Sequence, residues 1–123
     1  LFLTNNKLRE IKVSTFQNFY KYLFKIYLNF NRITKIESYS FYSLNQVSLL
    51  DLGHNSLKSF AKNTFTGLFY LKELKLNSNL IEYIGTFLFD SLTSLISLDL
   101  EDNRILFIED FSFPGIRFVP ERF

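Results

Sequence analysis

The sequence predicts a repeat solenoid of the α/β type: a curved, right-handed segment of about five turns, with short parallel strands on its concave face. Three observations predict it. An asparagine recurs at Asn6, Asn31, Asn55, Asn79 and Asn103, at intervals of 25, 24, 24 and 24 residues. Each lies in the same apolar frame. A phenylalanine recurs downstream at Phe16, Phe41, Phe65, Phe89 and Phe113. A fixed period of this length means that each copy buries its apolar face against its neighbours rather than in one central core.

The frame begins with the strand. Leu23-x-x-Ile26-x-Leu28 is repeated as Val47-x-x-Leu50-x-Leu52, Leu71-x-x-Leu74-x-Leu76 and Leu95-x-x-Leu98-x-Leu100, and the chain opens partway into a further copy at Leu1-x-Leu3. The paired aliphatics two apart share one face of a strand and turn the residue between them to the other. Stacked in parallel, five such strands present aliphatics inward and variable residues outward.

The asparagine follows where the strand turns away and its backbone groups leave the ladder while still buried. A primary amide offers two donors and an acceptor, so it can bond its own turn and the adjacent one. Aspartate or leucine there would leave groups unpaired, at roughly 1–3 kcal/mol each. An aliphatic pair then leads into the return half, as in Ile33-x-x-Ile36, with Phe60 replacing the aliphatic in the third copy. The recurring Phe rings, stacked at one height, fill the space between sheet and convex wall. Most have an apolar partner three residues on, at Phe19, Leu44, Leu68, Leu92 and Ile116. The convex side itself is expected to be irregular, short-helical or 3-10.

The predicted copies span 1–22 (partial), 23–46, 47–70, 71–94 and 95–118, with repeat character to residue 116 and a tail at 119–123. The one-residue expansion around Tyr20-Lys21-Tyr22 implies a small convex bulge. Beyond Ile116 the pattern needs an aliphatic where Arg122 stands, and Pro120 would deprive a strand of a donor.

On these residues the chain resembles a leucine-rich repeat protein of the typical extracellular animal class, the class found in Toll-like receptor ectodomains. Asn63-Thr64-Phe65-Thr66-Gly67-Leu68 is similar to that class's Phe-x-Gly-Leu junction. Asn-Lys-Leu at 6–8 and Asn-Arg-Ile at 31–33 and 103–105 match the residues usual after the asparagine. The resemblance implies a leucine-rich repeat solenoid that binds a protein, pathogen or other extracellular ligand, with signalling done by a separate domain. It also implies an extracellular location, or the outer side of the plasma membrane. Cysteine is absent, whereas relatives of this kind cover their end repeats with Cys-rich caps. The expectation is therefore a fragment of a longer ectodomain, open to self-association through uncapped ends. A cytoplasmic setting would also account for the missing cysteine, but the resemblance to the Phe-bearing 24-residue class argues against it.

Other classes of function find little support. Net charge is +2 and no basic run exceeds two residues, so nucleic acid is not an expected partner. No apolar stretch reaches membrane-spanning length, so this segment is not expected to insert into a bilayer. His54 is the single histidine and there is no cysteine, so no nucleophile–base pair and no zinc site can be assembled. Asp99, Glu101 and Asp102 read as a solvated edge rather than a metal site. No enzyme activity, cofactor or metal is expected.

The outward strand face is then the expected working surface. Its central column is Phe2, Tyr27, Asp51, Lys75 and Asp99, followed by Thr4, Asn29, Gly53, Asn77 and Glu101, then Asn5, Phe30, His54, Ser78 and Asp102; Lys25, Leu49, Glu73 and Ser97 flank it. The chemistry grades from aromatic at the N-terminal end to acidic at the C-terminal end. Exposed Tyr and Phe grouped together characterise interface centres, so Tyr27 and Phe30 are the expected anchors, with Asp99 to Asp102 steering a basic partner. Five strands at ~4.8 Å span about 20 Å, giving roughly 400 Å² against ~800 Å² per partner for a stable interface. The segment would thus supply part of a larger site. A structural or adhesion protein of the extracellular matrix, or a secreted antibody-like recognition protein, would use the same fold.

Overall fold

The computed structural model describes residues 1–19 and 21–113. Eight short strands follow in order: β1 (Glu10–Ile11), β2 (Lys25–Tyr27), β3 (Lys35–Ile36), β4 (Leu49–Asp51), β5 (Glu73–Lys75), β6 (Tyr83–Ile84), β7 (Ser97–Asp99) and β8 (Phe107–Ile108). The main sheet is parallel, in the order β2-β4-β5-β7, with Ile26, Leu50, Leu74 and Leu98 in register. The central aliphatic of each strand faces inward, and its partner two residues on is equally buried, from Leu28 to Leu100. The first copy differs from the expected fifth strand. It joins the sheet through a single bridge, Phe2 to Tyr27, supported by bonds from Leu3 N–H to Tyr27 O (2.8 Å) and Tyr27 N–H to Leu1 O (3.0 Å).

Each main strand ends because the chain turns through a left-handed residue. Asn5, Phe30, His54, Ser78 and Asp102 all have φ between 52° and 58°. Only glycine, asparagine and aspartate adopt this region cheaply. Immediately after it comes the asparagine ladder. Asn55 Nδ2 donates to Leu52 O in its own turn and to Leu28 O in the preceding one, both at 3.0 Å, while its Oδ1 accepts from Ile33 N–H at 3.0 Å. Asn31, Asn79 and Asn103 repeat the arrangement one turn apart. Asn6 bonds only its own turn, at Leu3 O and Thr4 O. Among the described residues no buried polar side-chain atom lacks a partner.

Behind the sheet the phenylalanine spine is continuous. Ring centroids lie 5.9 Å apart for Phe16–Phe41, 6.3 Å for Phe41–Phe65, 5.8 Å for Phe65–Phe89 and 5.4 Å for Phe89–Phe113. Leu44, Leu68 and Leu92 are fully buried beside it. Phe19 is a correction: its side chain is 53% exposed, although its backbone makes the same turn onto Phe16 (3.0 Å) that Leu44 makes onto Phe41 (3.0 Å). Tyr20, in the expected bulge around Tyr20-Lys21-Tyr22, and the end of the last copy, with Ile116, Pro120, Arg122 and the 119–123 tail, lie outside the described residues. The convex side is made of successive i-to-i+3 turns such as Ser40 to Glu37, Tyr42 to Tyr39 and Leu44 to Phe41. No helix occurs among the described residues.

A second parallel wall forms where the trailing aliphatics pair, β1 with β3 and β6 with β8. It is interrupted in the third copy, at Phe60. The ring there leans onto the spine, 5.2 Å from Phe65, and no strand joins β3 to β6. Phe60 stands at the position that Ile36 and Ile84 occupy in the copies on either side.

Candidate functional site on the concave sheet face

The structure brings the expected surface column together and sorts it into three kinds of residue. The first is aromatic. Phe2 stacks on Tyr27 with centroids 4.7 Å apart and planes 3° from parallel. Phe30 stacks on His54 at 4.1 Å and 8°. In-register neighbours one strand apart sit at about the thickness of a stacked ring pair, so equivalent positions in adjacent turns stack naturally. Phe2 is 79% exposed and Phe30 48%, so both pairs present apolar area to solvent. Phe30 and His54 also occupy the left-handed position, a strained placement for a bulky side chain.

The second kind is polar and committed to the scaffold. Asp51 was expected on the surface but is buried, at 8% exposure. It lies between the longer Tyr27 and Lys75 in register, and its Oδ1 accepts from Gly53 N–H at 2.9 Å. Asp99 makes the same short turn, accepting from Glu101 N–H at 3.0 Å. The hydroxyl of Thr4 donates to Asn29 Oδ1 at 2.8 Å. Gly53 has no room for a side chain, since a Cβ there would lie 2.7 Å from Asn77 Oδ1.

The third kind is charged and accessible. Lys25, Glu101 and Asp102 are exposed, while Glu73 and Lys75 are half-buried and pair with each other at 3.4 Å on one strand face. Leu49 and Asn77 are half-buried. The column as a whole carries two lysines against Asp51, Glu73, Asp99, Glu101 and Asp102.

Sequence reasoning missed two features away from this face. One is a contact between the last two turns. The Thr86 hydroxyl and backbone N–H, together with the Tyr83 hydroxyl, donate to Glu109 and hold its carboxyl below the ordinary carboxylate range. The same bond raises the Tyr83 phenol above its usual value. The other is a set of exposed aromatics leading into the main strands, Tyr22, Phe24, Phe69 and Tyr70. Their signal was legible as apolar residues at frame positions that face outward.

A stack of in-register strands closed by an amide ladder and an aromatic spine defines a repeat scaffold that displays side chains on a sheet face. It is the architecture of a recognition module. The leucine rich repeat family model matches residues 1–57 and 21–81, and the chain belongs to that family. No curated protein sequence matches it. Among solved structures it is similar to the crystal structure of the TLR13–ssRNA13 complex, with 25% identity and a TM-score of 0.63. That similarity covers 89% of this chain and 19% of the other, so the chain spans about a fifth of the receptor's length.

Proposed function

We propose that this segment is a non-catalytic recognition element of a leucine-rich repeat receptor ectodomain, of the Toll-like kind, acting on the extracellular side in signal transduction or innate immunity. It binds a protein ligand through the concave face. The observation that carries this reading is the pair of exposed ring stacks, Phe2–Tyr27 and Phe30–His54, on the concave face. Desolvating exposed aromatics is what interface centres do. The similar structure is a complex with single-stranded RNA. On this face, however, the excess of carboxylates over lysines disfavours a phosphate backbone, and a protein ligand with basic groups near the acidic end fits better.

The test places a photo-crosslinking residue at position 30 in the receptor that carries this segment, identifies the captured ligand, and measures its affinity for the Tyr27→Ala and Phe30→Ala variants. Each is expected to weaken binding about 10–100-fold. Unchanged affinity in both would remove the concave aromatics from the site.

A further inference from the structure

The flank of the solenoid leading into the main strands carries an open groove of about 480 Å³, lined by Phe24, Asn45, Gln46, Ser48, Tyr70 and Lys72. It spans three copies and exists because the middle one departs from its neighbours. Phe24, Ser48 and Lys72 occupy one frame position in successive turns; Tyr22, Gln46 and Tyr70 occupy another. Small or flexible polar residues in the centre leave a notch walled by Phe24, 57% exposed, and Tyr70, 65% exposed. Two register steps, roughly 10 Å along the stack, and an offset of two residues separate those walls, so a single ring packs on one wall and reaches toward the other through its edge and substituents.

The polar groups of the notch are unoccupied by the fold. Asn45, Gln46, Tyr70 and Lys72 make no side-chain hydrogen bond or ion pair with another described residue. The Ser48 hydroxyl donates to Phe24 O at 3.3 Å and keeps its lone pairs. Glu73, the adjacent acid, is tied to Lys75 on the concave face. Two aromatic walls, two amides that both donate and accept, a hydroxyl and an ammonium group suit a ring with apolar C–H faces and an equatorial belt of hydroxyls. An apolar peptide side chain would cover those amides without pairing them, at a cost for each.

We propose that this groove is a subsite for one anionic sugar residue of a glycan. One pyranose C–H face lies against Tyr70 and the ring's edge reaches toward Phe24, its hydroxyls bond the Asn45 and Gln46 amides and Ser48 Oγ, and its carboxylate or sulfate meets Lys72. The site is on the flank, and its wall Phe24 also lines a groove with Phe2, Lys25 and Tyr27, so Phe30→Ala, which lines neither groove, is the concave-face variant that retains it.

The experiment is an NMR titration of the full chain, following the Asn45 and Gln46 side-chain amides, with a uronate-containing disaccharide, a neutral disaccharide of the same linkage, inorganic sulfate and an aromatic dipeptide as probes. The uronate disaccharide is expected to shift both amides saturably. Lys72→Gln should weaken it about tenfold, and Phe24→Ala and Tyr70→Ala should each abolish it. Four outcomes overturn the proposal: no shift with the uronate disaccharide, equal affinity for the neutral one, the same shifts with sulfate alone, or occupation by the dipeptide and not the sugar.

Discussion

Replacing Asn79 with alanine tests the ladder where it is most completely connected. Its amide donates to Leu52 O at 3.0 Å and Leu76 O at 3.1 Å, and accepts from Leu57 N–H at 3.0 Å. The two carbonyls each have a second amide donor, Asn55 on Leu52 O and Asn103 on Leu76 O. Losing Asn79 therefore takes them from two bonds to one, about 0.5–1 kcal/mol apiece, while Leu57 N–H is left buried with no partner at about 1–3 kcal/mol. The expected loss is roughly 2–5 kcal/mol. Asn6→Ala, whose exposed amide bonds only its own turn, should cost less than about 1 kcal/mol. Urea unfolding at neutral pH compares the two variants, and amide hydrogen exchange localises the damage. Leu57 N–H should lose protection in Asn79→Ala, while Ile33 N–H, held by Asn55, should keep it. Equal losses for the two variants, or a Leu57 amide still protected, would refute the reasoning.

Three other outcomes follow from the geometry. Gly67 has φ of +100° and a Cβ there would lie 2.5 Å from Tyr42 O, so Gly67→Ala should cost more than about 2 kcal/mol; a melting temperature lowered by less than ~3 °C would contradict this. Phe30→Asn removes a ring yet relieves a left-handed backbone at φ 56°, so chemical denaturation should show a change within about 1 kcal/mol, and a loss above ~2 kcal/mol would show that the residue is unstrained. The Glu109 carboxyl should titrate below its ordinary value of 4.5 by carbon-detected NMR and return toward it in Thr86→Val; because its folded value is depressed, the contact's contribution is present above 4.5 and lost as pH falls through the folded value. Tyr83 mirrors it, titrating above 10.0, with a contribution present below 10.0 and lost as pH rises through the folded value.

Residues with one fixed duty were readable from their spacing. The inward aliphatics, the asparagines and the spine phenylalanines recur because the same packing and backbone requirements recur, and from Asn31 to Asn103 the structure places the asparagines in that duty. What escaped the sequence depended on neighbours of unequal size. Asp51 reads as exposed in its own copy and is covered by the side chains of two others. Phe60 reads as a departure from the aliphatic frame, but that the outer wall is interrupted at its copy shows only in the structure. The column that contains Phe30 and His54 reads as free surface, yet it carries the reversal of the chain, which the dihedral angles reveal. The flank groove has no motif at all. It arises from small residues standing between large ones two copies apart.

The ladder also has a direction. Every amide from Asn31 onward reaches toward the copy before it, and none reaches forward. During synthesis the N-terminal copies leave the ribosome first. Ile33 N–H then stays open until Asn55 has emerged, and Leu57 N–H until Asn79 has. Each newly made turn thus supplies the acceptor that its predecessor's backbone N–H needs.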